Sequence, residues 1–376
     1  MRFLLVDYHA GCLGAVGSTL ISLGHSVSIL PLTGHAHLLQ DTGVSPYICS
    51  PELAKQVEHR LGLSAASHPK QAVTSNGADQ GEPLFDVAWV SFPPAMYRRV
   101  LSSGLARHVV CYSAHRLDMW LEDPDQRERF FAEVRQDIDA TRMTLVASNT
   151  FDQRYAETYV DRDVPLLEPV FPYLAEARDA TLQVQHFEPP LIGPAHLDAR
   201  SRRIRAIRRK LSSSSEHLEM KTIREAYKHY DYSDLIQRAG IVLLPYSIFS
   251  IFTSEVAALG VPTLVPTDSW LSREGLLSDV QLHPTYGARR RIERYKGPLR
   301  GPDPNRGRLS AEWLAAASWH GFPNTYLWDS AESLLDVVQQ LQDVDRLDAV
   351  HRAETWEARK LEGWLTTLGQ LETVAS

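Results

Sequence analysis

The stretch IVLLPYSIFSIFTSEVAALGVPTLVP, residues 241–266, most narrows what this chain can fold into. Its apolar run Ile241–Leu244 stops at Pro245-Tyr246-Ser247, and a polar, glycine-free loop leads into a short helix expected over 253–259. Gly260 and Pro262 then open a second apolar run, 262–266. Strand, turn, helix, strand is the grammar of a βαβ unit, which joins parallel strands. Parallel strands are covered on both faces, so they read as continuous apolar runs rather than alternating ones. The helix carries one carboxylate, Glu255, near a start whose backbone N–H groups also attract phosphate.

The same grammar recurs. Short β-type runs are expected at 2–6, 26–32, 86–92, 108–112 and 143–147, with helices between several of them, as at Gly17–Leu23 and Asp125–Ala140. Residues 62–83, rich in Gly, Ser, Ala and Pro, read as a loop or insertion. The pattern restarts after Pro189-Pro190 with Leu191-Ile192-Gly193. A basic helix is expected over 200–211, and a helical stretch around 219–237 whose part Lys221–Asp231 also reads as a connecting strand or loop. Residues 331–342 form an amphipathic helix through Leu334, Leu335, Val337, Val338 and Leu341, and a last helix runs over about 346–371, punctuated by Trp356 and Trp364. At 376 residues the chain is long enough for two α/β domains of roughly 150–200 residues each. We expect an N-terminal Rossmann-like domain over 1–175, a second over 186–345, and a C-terminal helix, 346–376, returning to the first.

Composition limits the partners. The net charge of −7 opposes a protein that coats nucleic acid through bulk charge. Two basic tracts, Arg200–Lys210 and Gly287–Arg308, nevertheless mark either solvated faces or a polyanion or phosphate site. No apolar run reaches the roughly 20 residues that span a bilayer, and the apolar stretch before Asp7 is too short for a secretory signal. Cys12, Cys49 and Cys111 are odd in number, widely spaced and form no metal-ligand pattern, so a cytoplasmic protein is expected.

Residues 241–266, with Glu255 ahead of Gly260-Val261-Pro262, resemble the donor-binding element of GT-B glycosyltransferases. Trp319–Leu335 resembles a stretch in viral and bacterial glycosyltransferase-like proteins. The resemblance implies two Rossmann-like, doubly wound α/β domains facing a cleft. It implies a nucleotide sugar, with UDP expected, as co-substrate, and no cofactor. By match, Glu255 hydrogen-bonds the nucleotide's ribose hydroxyls, Ser250 and Thr253 contact phosphate or sugar, and Tyr246 or Phe249 stacks on the base. A Gly-containing loop with basic neighbours neutralises the diphosphate in this family, which assigns Gly193, Arg200 and Arg203 to the donor. A competing reading makes Thr253 the helix cap, with Glu255 in the first turn, where the helix dipole favours a carboxylate anyway.

Two turns of the first half add candidates. Asp7–Thr19 reads DYHAGCLGAVGST, and its glycines 11, 14 and 17 fit a loop passing close to a ligand or to the next helix. Their spacing does not match the dinucleotide fingerprint G-x-G-x-x-G, which disfavours a nicotinamide enzyme. In the family this turn binds acceptor or donor phosphate, a role that His9 and Gly11 would share; His9 as a simple turn cap is the alternative. After strand 108–112 come His115, Arg116 and Asp118, at the edge where parallel sheets bind ligands. The turn resembles that of phage DNA β-glucosyltransferases, where a Thr-Asp-Ile-Arg element supplies an aspartate base. Here His115 stands near that position, and histidine suits a general base near neutral pH. His115 and Asp118 are therefore the expected catalytic pair, with Arg116 contacting acceptor or phosphate. Ser148 or Asn149 caps the helix 150–159 or lines the same edge.

The expected activity is transfer of a hexose to a hydroxyl acceptor, inverting and metal-independent, since no Asp-x-Asp motif stands in a metal-binding context. The acceptor is a small molecule, a glycan or a nucleic acid, including a modified base in DNA. A nucleotide-sugar epimerase or hydrolase, and a non-catalytic scaffold of the same fold, are the rival readings.

Overall fold

A computed structural model of the chain describes residues 1–63, 82–119, 121, 123–194, 220–245, 247–274, 299–301 and 311–375. The expected loop or insertion over 62–83 falls largely outside the described residues, as does most of the tract 287–308. The basic helix expected over 200–211 lies wholly outside them. The chain divides into two units: Met1–Pro172 with Thr285–Gly307 and Lys360–Ser376, and Tyr173–Pro284 with Arg308–Arg359.

The first unit is built on five parallel strands, β1 (Arg2–Asp7), β2 (Ser26–Pro31), β3 (Phe85–Val90), β4 (Ala106–Ser113) and β5 (Met143–Ala147), ordered β2-β1-β3-β4-β5. The register sets Phe3 beside Val27 and Val87, and Cys111 beside Val90 and Leu145. Strand order reverses between β1 and β3. In open α/β sheets ligands bind beyond the strand carboxyl ends at such a switch point. The helices are α1 (Ala10–Ser22), α2 (Pro51–Leu61), α3 (Tyr97–Ser102), α4 (Pro124–Asp139) and α5 (Thr150–Val160). Apart from α3, their starts follow from capping chemistry. Ser50 precedes Pro51, Asp123 precedes Pro124, and each cap side chain accepts a backbone N–H of the first turn.

Helix α1 begins at Ala10, seven residues before the expected start, so glycines 11, 14 and 17 are helical rather than parts of a loop. The reason is packing: a Cβ on Gly14 would lie 2.7 Å from Thr42 Cγ2, and one on Gly17 3.2 Å from Ile29 Cδ1. Small residues let the helix approach β2 and the segment behind it. The core around it gathers Phe3, Leu5, Leu13, Val16, Ile29, Trp89 and Tyr112.

The second unit has four parallel strands in simple order, β6 (Leu191–Gly193), β7 (Ile241–Leu243), β8 (Thr263–Pro266) and β9 (Thr325–Trp328). Its helices are α6 (Ala175–Ala180), α7 (Ile223–Ala226), α8 (Tyr232–Ile236), α9 (Ile251–Ala258), α10 (Asp268–Arg273), α11 (Ala311–Leu314) and α12 (Ala331–Gln340). The helical stretch expected over 219–237 is two short helices. Thr222 with Glu225 and Asp231 with Asp234 each form a capping box, so the chain starts a helix twice, with Tyr227 extended between them. Helix α13 (Arg346–Ala375) ends the chain. Its portion from Lys360 belongs to the first unit. There Trp364 stacks on Trp89 at 5.4 Å and donates its indole N–H to Glu168 O at 2.9 Å. Among the described residues no helix is long and apolar enough to cross a membrane.

Candidate functional site

At the carboxyl edge of the first sheet, β1 closes on a charged residue. Asp7 is buried, and its carboxylate accepts the backbone N–H of His9 (2.6 Å), Ser91 (2.9 Å) and Phe92 (3.0 Å) together with the Ser91 hydroxyl. It therefore ties the turn after β1 to the turn after β3 at the switch point. Burial pushes its carboxyl up to about 7, against the lowering effect of those hydrogen bonds.

His9 is the N-cap of α1: its Nδ1 accepts the Cys12 N–H at 3.1 Å. An acceptor Nδ1 in a neutral imidazole requires the proton on Nε2. Burial lowers His9 to about 4, so the ring is neutral at pH 7 and presents Nε2–H as a donor. His115 stands beside it, the ring centroids 5.3 Å apart, and Phe92 lies edge-on to His115 at 4.7 Å. The fold thus brings together two histidines that stand 106 positions apart in sequence. Gly11 is the second residue of α1, two positions after His9.

The turn that carries His115 is held from below. Asp118 is fully buried: Oδ1 forms an ion pair with Arg116, whose Nε lies 2.8 Å away, and accepts the Tyr155 hydroxyl at 2.9 Å, while Oδ2 accepts Arg127 Nε at 2.5 Å and Arg127 Nη2. Burial alone would raise its pKa, but the Arg116 and Arg127 guanidiniums outweigh burial and hold it below the usual carboxylate range. Arg116, 7% exposed, also lies over the Tyr155 ring. Asp118 and Arg116 are thus partners within one buried network, in which both oxygens of Asp118 are engaged.

After β5, Asn149 is the N-cap of α5: its Oδ1 accepts Asp152 N–H at 2.9 Å, while Nδ2 donates to Asp152 Oδ2 at 2.6 Å and to Ser148 Oγ at 2.9 Å. Burial pushes Asp152 up to about 7, partly offset by Asn149 and Arg116.

In the second unit, α9 begins at Ile251, with Ser250 as its N-cap and no acidic residue in the first turn. Glu255 therefore lies a turn further in than the dipole reading required. Thr253 is not the cap; its hydroxyl donates to Ser250 O at 2.8 Å, and Ser254 Oγ donates to the same carbonyl at 3.3 Å. The Glu255 side chain is 8% exposed, and burial raises its pKa. Its Oε1 accepts two phenolic hydroxyls, from Tyr173 at 2.6 Å and from Tyr232 at 2.9 Å. Gly193 ends β6, where a Cβ would lie 2.8 Å from Ile241 Cγ2 and 3.3 Å from the Phe252 ring, so close strand and helix packing demands glycine there. Phe249 is half-buried in the loop before α9. Arg200, Arg203 and Tyr246, expected at the donor, lie outside the described residues.

Several residues of these arrangements escaped the sequence reading. Tyr173 and Tyr232 sit in VFPYL and YDYSD, which carry no motif. Arg127 and Tyr155 lie within helices, where an arginine and a tyrosine are ordinary. Asp7 and Ser91 had a usable signal, a polar residue closing an apolar run at each strand end.

No protein-family model matches the chain, and no curated protein matches it in sequence. Among solved structures the chain is similar to the spinosyn forosaminyltransferase SpnP, with 12% identity over the whole of both chains and a TM-score of 0.40.

Proposed function

We propose that this chain is a glycosyltransferase that moves a sugar from a nucleotide-activated donor, UDP-linked, to a hydroxyl acceptor. The observation that carries the reading is Glu255, a buried carboxylate beyond the β7 edge whose oxygen is already held by hydroxyl donors. A carboxylate kept in such surroundings is equipped to accept hydrogen bonds from sugar hydroxyls, and burial strengthens each of them. In this reading Glu255 takes the ribose hydroxyls. Ser250, Thr253 and the start of α9 lie toward the phosphates, with Gly193, Arg200, Arg203 and Tyr246 completing the donor site.

Transfer forms a bond from the acceptor oxygen to the anomeric carbon as the bond from that carbon to the diphosphate oxygen breaks. The diphosphate leaves with the electron pair, and the acceptor proton passes to His115. One displacement inverts the anomeric centre. His9 acts as a neutral Nε2–H donor to an acceptor or phosphate oxygen, since its Nδ1 is committed to the Cys12 amide. Asp118 acts through Arg116 and Arg127 as a positioning residue for the His115 turn. No metal is assigned to the site in this reading.

Thermal shift with a panel of UDP-, GDP-, ADP- and TDP-sugars tests the reading. One nucleotide class is expected to raise the melting temperature, most strongly the UDP-linked one. Glu255→Ala is expected to abolish that shift, whereas His115→Ala keeps it and loses acceptor-dependent release of nucleoside diphosphate. A chain stabilised by no member of the panel is not a glycosyltransferase of this kind. Interconversion of the sugar without an acceptor would point to an epimerase.

A further inference from the structure

Two phenols converge on one oxygen of Glu255. Tyr173 reaches Oε1 from the turn Pro172–Leu174 ahead of α6, and Tyr232 reaches it from the first residue of α8, which Asp231 caps. Their rings lie 5.9 Å apart. Helix α6 is tied to α9 a second time, through Arg178 Nη1 to Ala258 O at 3.2 Å. The carboxylate is therefore braced by the turn ahead of α6 and by α8 against the helix that carries it. Among the described residues no donor is found on Oε2.

A packing role alone does not account for this choice of groups. A buried carboxylate is costly unless it is well hydrogen-bonded, and a position away from the first turn gains little from the helix dipole. Phenols supply one donor each. Burial, followed by the charge of Glu255, pushes both hydroxyls far above their ordinary pKa, so at neutral pH they remain O–H donors. The direction of both hydrogen bonds is thus fixed, and in the ionised carboxylate the second oxygen can only accept. Such a group takes hydroxyls and repels phosphate oxygens.

We infer that Tyr173 and Tyr232 are positioning residues for sugar-hydroxyl recognition: by occupying Oε1 they fix the plane of the Glu255 carboxylate and reserve Oε2 for a hydroxyl of the donor's ribose. The inference rests on the donor reading given above. It makes selectivity for a hydroxylated ribose, rather than nucleotide affinity as a whole, the property these tyrosines control.

Calorimetric titration of the full chain with UDP and with 2′,3′-dideoxy-UDP reads that property directly. The wild-type protein is expected to bind UDP about tenfold more tightly than the dideoxy compound, the equivalent of one well-made hydrogen bond to a charged group. In Tyr173→Phe/Tyr232→Phe the ratio is expected to fall below about threefold, with affinity for the dideoxy compound unchanged. If the double variant does not fold, each single variant is expected to show a smaller fall in the same ratio. An unchanged ratio in folded variants overturns the inference and leaves the donor reading standing. Tighter UDP binding by the variants also overturns it, because the phenols would then be competitors that the ribose displaces. No binding of UDP or of any other nucleoside diphosphate to the wild-type protein overturns the donor reading, and the inference falls with it.

Discussion

Asp118 and Asp152 are both buried at the carboxyl edge of the first sheet, yet their surroundings give them opposite pH signatures. Asp152 is raised to about 7, well above the value of about 3.9 for an unfolded aspartate. The folded chain then holds a proton that the unfolded chain has lost, so its stabilising contribution is complete below about pH 4 and declines as pH rises toward 7. A shift of about three units corresponds to about 4 kcal/mol. Asp118 is lowered by its two guanidinium partners, so its contribution is present above about pH 4 and is lost only as pH falls further. Urea unfolding across a pH series separates the two. Asp152→Asn is expected to flatten the decline between about pH 4 and 7 and to exceed the wild type in stability at pH 8. Asp118→Asn is expected to lose about 3–5 kcal/mol at neutral pH, because Arg116 and Arg127 are left buried without their counter-ion. A wild-type slope in Asp152→Asn, or a loss under about 1 kcal/mol in Asp118→Asn, would refute these assignments. Neither network was legible from sequence. Asp118 stands near His115 in the chain, whereas Arg127 and Tyr155, which bind its oxygens, come from two later helices.

Glycines divide the elements that sequence could place from those it could not. Strands β1 to β8 lie within two residues of their expected ends, and β5 matches its expected span 143–147, because a run of apolar side chains needs burial on both faces. Helix α1 begins seven residues ahead of its expected start, since Gly11, Gly14 and Gly17 suggest a loop, and only the closeness of Thr42 and Ile29 explains the last two. Gly193 makes the same point in the second unit. Ile241 is β-branched and cannot swing its Cγ2 aside, so Gly193→Ala is expected to cost about 1–3 kcal/mol through overpacking. Denaturant midpoints measure that loss. A stable variant with weakened nucleotide binding would instead assign Gly193 to the ligand alone. Gly260 ends α9 at φ 75°, a left-handed conformation that few other residues adopt, and Val350 Cα lies 3.1 Å from where its Cβ would be.

The last part of α13 completes the first unit's core through Trp364, which is fully buried against Trp89 and bonded to the Glu168 carbonyl. Trp364→Ala is expected to destabilise that unit by about 3–5 kcal/mol, read as an earlier unfolding transition, while a change under about 1 kcal/mol would show the contact to be dispensable. The amino-acid sequence by itself determined the α/β class, parallel strand pairing and the position of most strands, because hydrophobic periodicity is a local property. It also singled out Glu255, His9 and His115 as the residues to watch. Tertiary structure decided what surrounds them: two tyrosines on Glu255, a backbone amide on His9 Nδ1, and two arginines on Asp118. Those partners arrive from distant segments, and no local pattern records which side chains the folded sheet edges bring together.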